Sequence, residues 1–121
     1  MNKPISRPLH GTLDYVYAVT AWSLPSLLGF ENNKAARLVC NVAGGIALLS
    51  ALTTKHEGGL LKIVPFNTHL KGDAAGSLAT VAAPWLFGFA DDARARNAVV
   101  GLALLQAIVF ALTRPDNEYG A

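Results

Sequence analysis

The chain has 121 residues, of which 52% are hydrophobic and only 15% are charged, and its formal net charge is +2. Soluble globular proteins average about 25% charged residues, so this deficit favours a protein immersed in lipid. The length predicts a single domain, the small net charge argues against nucleic-acid binding, and the single cysteine excludes an internal disulfide.

Four stretches of the chain carry no charged residue, and each is 16 or 17 residues long: 15–30, 38–54, 74–90 and 97–113. A membrane-spanning helix needs about 20 mostly apolar residues, with a range that begins near 17. Each stretch is slightly short for a span. It therefore predicts a membrane-spanning helix that includes one or two polar residues at its ends. The alternative, a soluble four-helix bundle, would place charged residues opposite an apolar stripe, whereas these stretches are apolar or small all round.

The first two helices are predicted over residues 10–25 and 35–54, joined by a short polar link at residues 31–34. Pro25 has no backbone donor, so a kink or a helix end is expected there. Gly29 suits the carboxyl end of a helix. These signals predict a helical hairpin over residues 5–54.

The second half of the chain predicts a similar hairpin over residues 64–113, after a linker at residues 55–63. Pro84 and Gly88 give the same end signal for the third helix, and the fourth helix is predicted over residues 94–113. Pro115 ends that helix, and residues 114–121 form a polar tail.

Six residues of the first hairpin recur after 59 positions: His10, Asp14, Pro25, Leu27, Gly29 and Phe30 return as His69, Asp73, Pro84, Leu86, Gly88 and Phe89. A second match, of residues 41–45 with residues 97–101, has a spacing of 56. The two hairpins are therefore repeats, and the two spacings predict that one loop differs by three residues. The predicted fold is all-α, with four transmembrane helices arranged as two parallel hairpin repeats of the same topology.

Two spans per repeat mean that the second repeat enters the membrane from the same side as the first. Both termini, the linker and the repeated histidines and aspartates should then lie on one side. Lysines and arginines number six on this side and four on the other, which favours a cytoplasmic amino terminus in the inner membrane. The six on the side of the termini are Lys3, Arg7, Lys55, Lys62, Lys71 and Arg114, and the four on the other side are Lys34, Arg37, Arg94 and Arg96.

Each histidine precedes its aspartate by four residues, so His10 can reach Asp14, and His69 can reach Asp73, on one helix face. Three hypotheses fit this spacing. Each pair caps its helix and favours the positive end of the helix dipole. Both pairs together form a two-histidine, two-carboxylate site for a divalent cation such as zinc or iron. The histidines sense protons or ions.

Other features predict helix packing and membrane anchoring. Small residues let helices approach closely in lipid, which assigns a packing role to five glycines: Gly44, Gly45, Gly72, Gly76 and Gly101. Trp22 and Trp85 are interpreted as anchors at the membrane interface. No catalytic nucleophile set and no phosphate-binding loop is found in the sequence. It therefore predicts no enzymatic activity and no cofactor.

The segments HGTLDY at 10–15, LPSLLGF at 24–30, HLKGDAAG at 69–76 and APWLFGFAD at 83–91 resemble the SPW-repeat family of small prokaryotic integral membrane proteins. The second repeat keeps the proline and tryptophan of the family signature at Pro84 and Trp85, whereas the first has Leu24, Pro25 and Ser26. The resemblance implies membrane location and two-helix units, and it implies no activity.

The leading hypothesis is a non-enzymatic membrane protein that acts structurally or as a regulator, through helix packing with copies of itself or with another membrane protein. The first alternative is an ion- or metal-handling membrane protein that uses His10, Asp14, His69 and Asp73. The second alternative is an interaction module in the soluble phase. The expected partners are the lipid bilayer and other membrane proteins, and no nucleic acid.

Overall fold

The computed structural model describes residues 3–114, which form four α-helices. They are α1 (Arg7–Leu27), α2 (Lys34–Thr53), α3 (Phe66–Leu86) and α4 (Ala93–Leu112). The described residues contain no β-strand, so the all-α prediction is confirmed. The predicted role of Pro115 and the tail at residues 115–121 lie outside the described residues.

The helices pair as two hairpins, because α1 packs mainly on α2 and α3 mainly on α4. Both boundaries of α1 and α2 recur in α3 and α4 after 59 positions, and the connections 28–33 and 87–92 are equally long. The predicted three-residue difference between the loops is therefore wrong. Residues 41–45 match residues 97–101 because two apolar, small-residue helices still resemble each other after a slide of about one turn.

The two prolines lie close to the ends of their helices. α1 ends two residues after Pro25, and α3 ends two residues after Pro84. Gly29 and Gly88 follow with φ angles of 76° and 75°, in the left-handed region that favours glycine. The Phe30 N–H then donates to the carbonyl of Pro25 at 2.9 Å, and this bond closes the helix end.

A pair of side chains joins the hairpins at the end of the bundle that holds these connections. Asn33 caps α2 by accepting from the Ala36 N–H, and Asp92 caps α4 by accepting from the Ala95 N–H. The Asn33 Nδ2 also donates to Asp92 Oδ2 at 3.0 Å. The apolar core of the bundle includes Phe30, Phe89, Ala36, Ala95, Cys40, Val99 and Tyr17.

At the opposite end, the segment before each hairpin pairs with the end of the other hairpin. Ile5 forms an isolated parallel bridge with Thr113, and Val64 forms one with Thr54. Backbone hydrogen bonds of 2.8–3.0 Å hold both bridges. The start of α1, the end of α4 and the linker therefore lie together. Backbone hydrogen bonds hold the segment before each hairpin to the end of the other hairpin.

The linker is attached to α1 by side chains. Arg7 donates twice to Glu57, at 2.9 Å and 2.8 Å, and the Tyr15 hydroxyl donates to the Gly58 carbonyl at 2.6 Å. The hydrogen bonds from Arg7 lower the pKa of Glu57 to about 2. The linker is thus held over the end of the bundle.

Within the part of the chain that the structure describes, α2 and α4 are long and apolar enough to cross a membrane. Only 22% of the apolar window of α2 and 28% of that of α4 is buried inside the chain, whereas the core helix of a soluble protein is mostly buried. Large apolar side chains are also exposed on all four helices, among them Val19, Leu38, Leu78 and Leu104. These helices are compatible with a bilayer environment.

The five glycines assigned to helix packing have different surroundings. An added Cβ at Gly44 would meet the Trp22 ring, and one at Gly76 would lie 3.2 Å from the Gln106 amide. Such an atom at Gly45, Gly72 or Gly101 meets nothing within 4 Å, so no neighbouring helix approaches these three within the chain. Their predicted role in packing between chains stays a prediction.

The two tryptophans also differ. The Trp22 indole lies against Gly44 and donates to the Asn41 carbonyl at 3.1 Å, so it joins α1 to α2. Trp85 is 61% exposed. The predicted role of both rings as interface anchors stays a prediction.

Replacing Gly88 by alanine tests the left-handed helix end, because no atom crowds an added Cβ there and the backbone angle alone opposes the side chain. We expect Gly88→Ala to lower the free energy of unfolding by about 1–2 kcal/mol. Gly101→Ala is the matched control in a helix interior, where alanine raises helix stability by up to about 1 kcal/mol. Thermal denaturation in detergent measures both, and changes of the same sign would contradict this assignment.

Candidate metal centre

The four repeated polar residues meet at the end of the bundle that holds the linker. His10 and Asp14 lie one turn apart on α1, and His69 and Asp73 lie one turn apart on α3. One ligand atom from each of the four lies within 4.8 Å of the other three. The structure therefore brings together all four residues of the predicted site.

Each histidine lies between the two aspartates. The His10 Nε2 atom is 3.3 Å from Asp14 Oδ1 and 3.0 Å from Asp73 Oδ2. The His69 Nε2 atom is 2.9 Å from Asp14 Oδ2 and 3.2 Å from Asp73 Oδ2. The side chains are between 1% and 15% exposed, so the cluster is shielded from water.

The hypothesis that the pairs cap their helices is wrong. The cap of α1 is Ser6, whose side chain accepts from the Leu9 N–H. Pro65 precedes α3 and offers no side-chain cap. Asp14 and Asp73 lie about two turns inside their helices, where the backbone N–H groups are already bonded within the helix.

Two threonines that were not among the predicted site residues complete the site. The Thr113 hydroxyl lies 2.8 Å from His10 Nδ1, and the Thr54 hydroxyl lies 2.7 Å from His69 Nδ1. Each histidine is thus bonded to a threonine of the other hairpin. Thr54 and Thr113 share the 59-residue spacing of the histidines, so the repeat itself contained the signal.

The threonines determine which histidine nitrogen carries a proton. The Thr113 hydroxyl donates to the Val109 carbonyl, and the Thr54 hydroxyl donates to the Ser50 carbonyl. A hydroxyl has one proton to donate, so each threonine can only accept from its histidine. Both Nδ1 atoms are therefore protonated, and both Nε2 atoms face the carboxylates. Metal-binding histidines are commonly oriented in this way by a second hydrogen bond.

Two buried atoms of the cluster are unsatisfied. Among the described residues, His69 Nε2 and Asp14 Oδ2 have no hydrogen-bond partner, although they are only 2.9 Å apart. Buried polar atoms are normally bonded, and a buried atom without a partner calls for an explanation such as an ion. The ring nitrogen and the carboxylate are at ion-pair distance, but no hydrogen bond joins them.

A third histidine lies close to the cluster and was also missed. His56, in the linker, is fully buried, and its ring centroid is 6.4 Å from that of His69. Its Nδ1 accepts from the Gly58 N–H at 3.0 Å, and burial lowers its pKa below the usual value. An added Cβ at Gly11 would lie 2.7 Å from this ring, so that position has no room for a side chain.

No family model, no curated protein and no solved structure matches the chain. The resemblance to the SPW-repeat family therefore stays a prediction, and the site must be interpreted from its own geometry.

Replacing Thr54 by valine tests the bond between threonine and histidine, because valine keeps the shape and removes the hydroxyl. His69 Nδ1–H is then buried without an acceptor, and we expect the free energy of unfolding to fall by about 1–3 kcal/mol. Thr53→Val is the matched control, since its hydroxyl donates to the Leu49 carbonyl at 2.8 Å and contacts no histidine. Equal effects of the two substitutions in thermal denaturation would contradict the role of Thr54.

Proposed function

We propose that the chain is a four-span membrane protein that binds one divalent transition-metal ion, zinc or iron, between its two hairpins. The observation that supports this most is the arrangement of the histidines. Both Nδ1–H groups are bonded to threonines, which leaves both Nε2 atoms directed toward two buried carboxylates. Imidazole nitrogens and carboxylate oxygens are ligands that suit zinc and iron.

The separations between ligand atoms fit an ion of this size. A tetrahedral ion with bonds of about 2.0–2.2 Å separates its ligand atoms by about 3.3–3.6 Å. The four histidine–aspartate separations in the site are 2.9–3.3 Å. The four ligand atoms all lie within 4.8 Å of one another, so local side-chain adjustment, and no movement of the helices, would bring them to the spacing of an ion.

The charge of the site supports the same proposal. Two carboxylates buried among apolar helices need about two positive charges nearby, because an unpaired buried charge is costly. One divalent ion supplies both charges and also satisfies His69 Nε2 and Asp14 Oδ2. Two imidazolium rings would supply the charge as well, and His10 Nε2 has the hydrogen bond to Asp73 Oδ2, at 3.0 Å, that such a ring would make. His69 Nε2 makes no hydrogen bond, and it is this atom that favours the ion.

The surface of the bundle supports the proposal of four spans. α1 and α3 are less apolar than α2 and α4 because they carry the histidines and aspartates, which face inward. Their outward residues are apolar, as Val19 on α1 and Leu78 on α3 illustrate with exposures of 60% and 72%. Uncharged stretches of each helix would face the acyl chains, and a helix satisfies most of its backbone groups internally, as a bilayer requires.

Parallel orientation of the two hairpins is part of the proposal. It is supported by the bridges from Ile5 to Thr113 and from Val64 to Thr54, which lie at one end of the bundle. Two helices per hairpin would then place both termini on one side of the membrane. The lysine and arginine distribution favours the cytoplasmic side of the inner membrane.

Metal content tests the proposed function. Purified protein without an affinity tag should bind about one zinc or cobalt ion per chain, as measured by equilibrium dialysis and elemental analysis. We expect His10→Ala and His69→Ala each to weaken binding by at least about 100-fold, because removal of a supporting second-shell group alone costs 10–100-fold. His56→Ala is the matched control, since His56 is buried nearby and is not among the four converging residues.

Two outcomes would overturn the metal proposal. One is the absence of zinc and cobalt binding by the wild-type protein at neutral pH. The four residues would then form a proton-binding cluster instead of a metal site. The other is undiminished binding by the double variant His10→Ala, His69→Ala, because the ion would then lie elsewhere.

Membrane fractionation tests the four-span proposal. The chain should stay in the membrane pellet after an alkaline carbonate wash and should need detergent for extraction, because apolar side chains cover its helices. Recovery of a monodisperse protein in the supernatant without detergent would contradict bilayer immersion and would favour the soluble bundle.

A further inference from the structure

A cavity of about 390 Å³ lies beside the cluster, between the two hairpins. Its wall includes Asp14, His69 and Asp73, whereas His10 does not line it. Three of the four proposed ligands therefore face an open space, and the fourth lies behind them. A volume of this size is typical of sites for small molecules.

The rest of the wall is mostly apolar. Leu13, Ile46, Leu105 and Val109 line it together with threonine and serine side chains. The hydroxyl protons of Thr53 and Thr54 are already donated to backbone carbonyls. Tyr17 and Gln106 also line the cavity, so a ligand would meet polar groups there as well as at the cluster, and most of its body would contact apolar surface.

Gly72 and Gly76 keep part of this wall free of side chains. An added Cβ at Gly72 meets no atom within 4 Å, and Gly72 lines the cavity one turn after Thr68. Gly72 therefore borders a cavity and no helix, whereas Gly76 borders the cavity and also lies close to Gln106 of α4. A larger side chain at position 72 would start without a clash at its Cβ and would reduce the space.

An ion held by the four ligands would present one face of its coordination shell to the cavity. That face is formed by Asp14, His69 and Asp73, and a further ligand can enter through it, because zinc can expand from four to five ligands. Two aspartates and a divalent ion sum to zero charge when the histidines are neutral. An uncharged donor is therefore favoured, since an added anion would leave a net charge in apolar surroundings.

We infer that the cavity binds an uncharged aliphatic molecule whose oxygen-donor head, an alcohol, carbonyl or amide, binds the metal through the open face. Its alkyl body lies against the apolar wall formed by α1, α2 and α4. This inference rests on the proposed metal site and adds the chemical class of its ligand.

Cobalt-loaded protein in detergent tests the inference, because the visible absorption of Co²⁺ changes when a ligand is added. Titration with octanamide should change the spectrum of the wild-type protein. Gly72→Leu should weaken octanamide binding by about tenfold or more, since the leucine fills the cavity, and should leave cobalt stoichiometry unchanged. Gly101→Leu is the matched control, because this glycine also has open space around an added Cβ but does not line the cavity.

The outcomes separate the two proposals. Absence of bound cobalt in the wild-type protein would overturn the proposed function itself. Stoichiometric cobalt with a spectrum that octanamide does not change would overturn the ligand inference and leave the metal site standing. Equal octanamide binding by the wild-type and Gly72→Leu proteins, or tighter binding of octanoate than of octanamide, would also overturn it.

Discussion

Two aspartates lie about two turns inside apolar helices, and they can be buried there only if positive charge and hydrogen-bond donors stand beside them. Asp14 and Asp73 lie against the Nε2 atoms of His10 and His69 across the interface between the hairpins, and the proposed divalent ion would supply the positive charge there. The histidines are held in turn by threonines at the ends of α2 and α4. The polar end of the bundle is therefore an ordered network that spans both repeats.

This network makes the two repeats depend on each other. His10 of the first hairpin bonds to Thr113 of the second, and His69 bonds to Thr54 of the first. The backbone bridges connect the hairpins in the same crossed manner. A single hairpin would contain one histidine and one aspartate but would lack the threonine that orients its histidine. Two copies within one chain supply both halves of the His/Asp cluster.

Much of this arrangement could be predicted from the sequence, because repeated residues mark repeated structure. The four uncharged stretches predicted four helices, and the 59-residue spacing marked the glycine helix ends and the four residues of the cluster. It did not predict that the two His/Asp pairs converge, since a spacing along one helix carries no information on contacts between helices. Thr54 and Thr113 were overlooked because threonine is common in apolar segments, and His56 because it has no counterpart in the repeat. The role of Gly72 depends on a cavity, which no local pattern encodes.

The central claim is that the two repeats together hold one metal ion through His10, His69 and the two aspartates. X-ray absorption at the zinc edge tests it most directly, because the spectrum counts imidazole rings and distinguishes nitrogen and oxygen ligands from sulfur. The account predicts two imidazole rings and a first shell of nitrogen and oxygen at about 2.0–2.2 Å, with one ring lost in His10→Ala. A sulfur ligand at about 2.3 Å, or a spectrum that His10→Ala leaves unchanged, would contradict it.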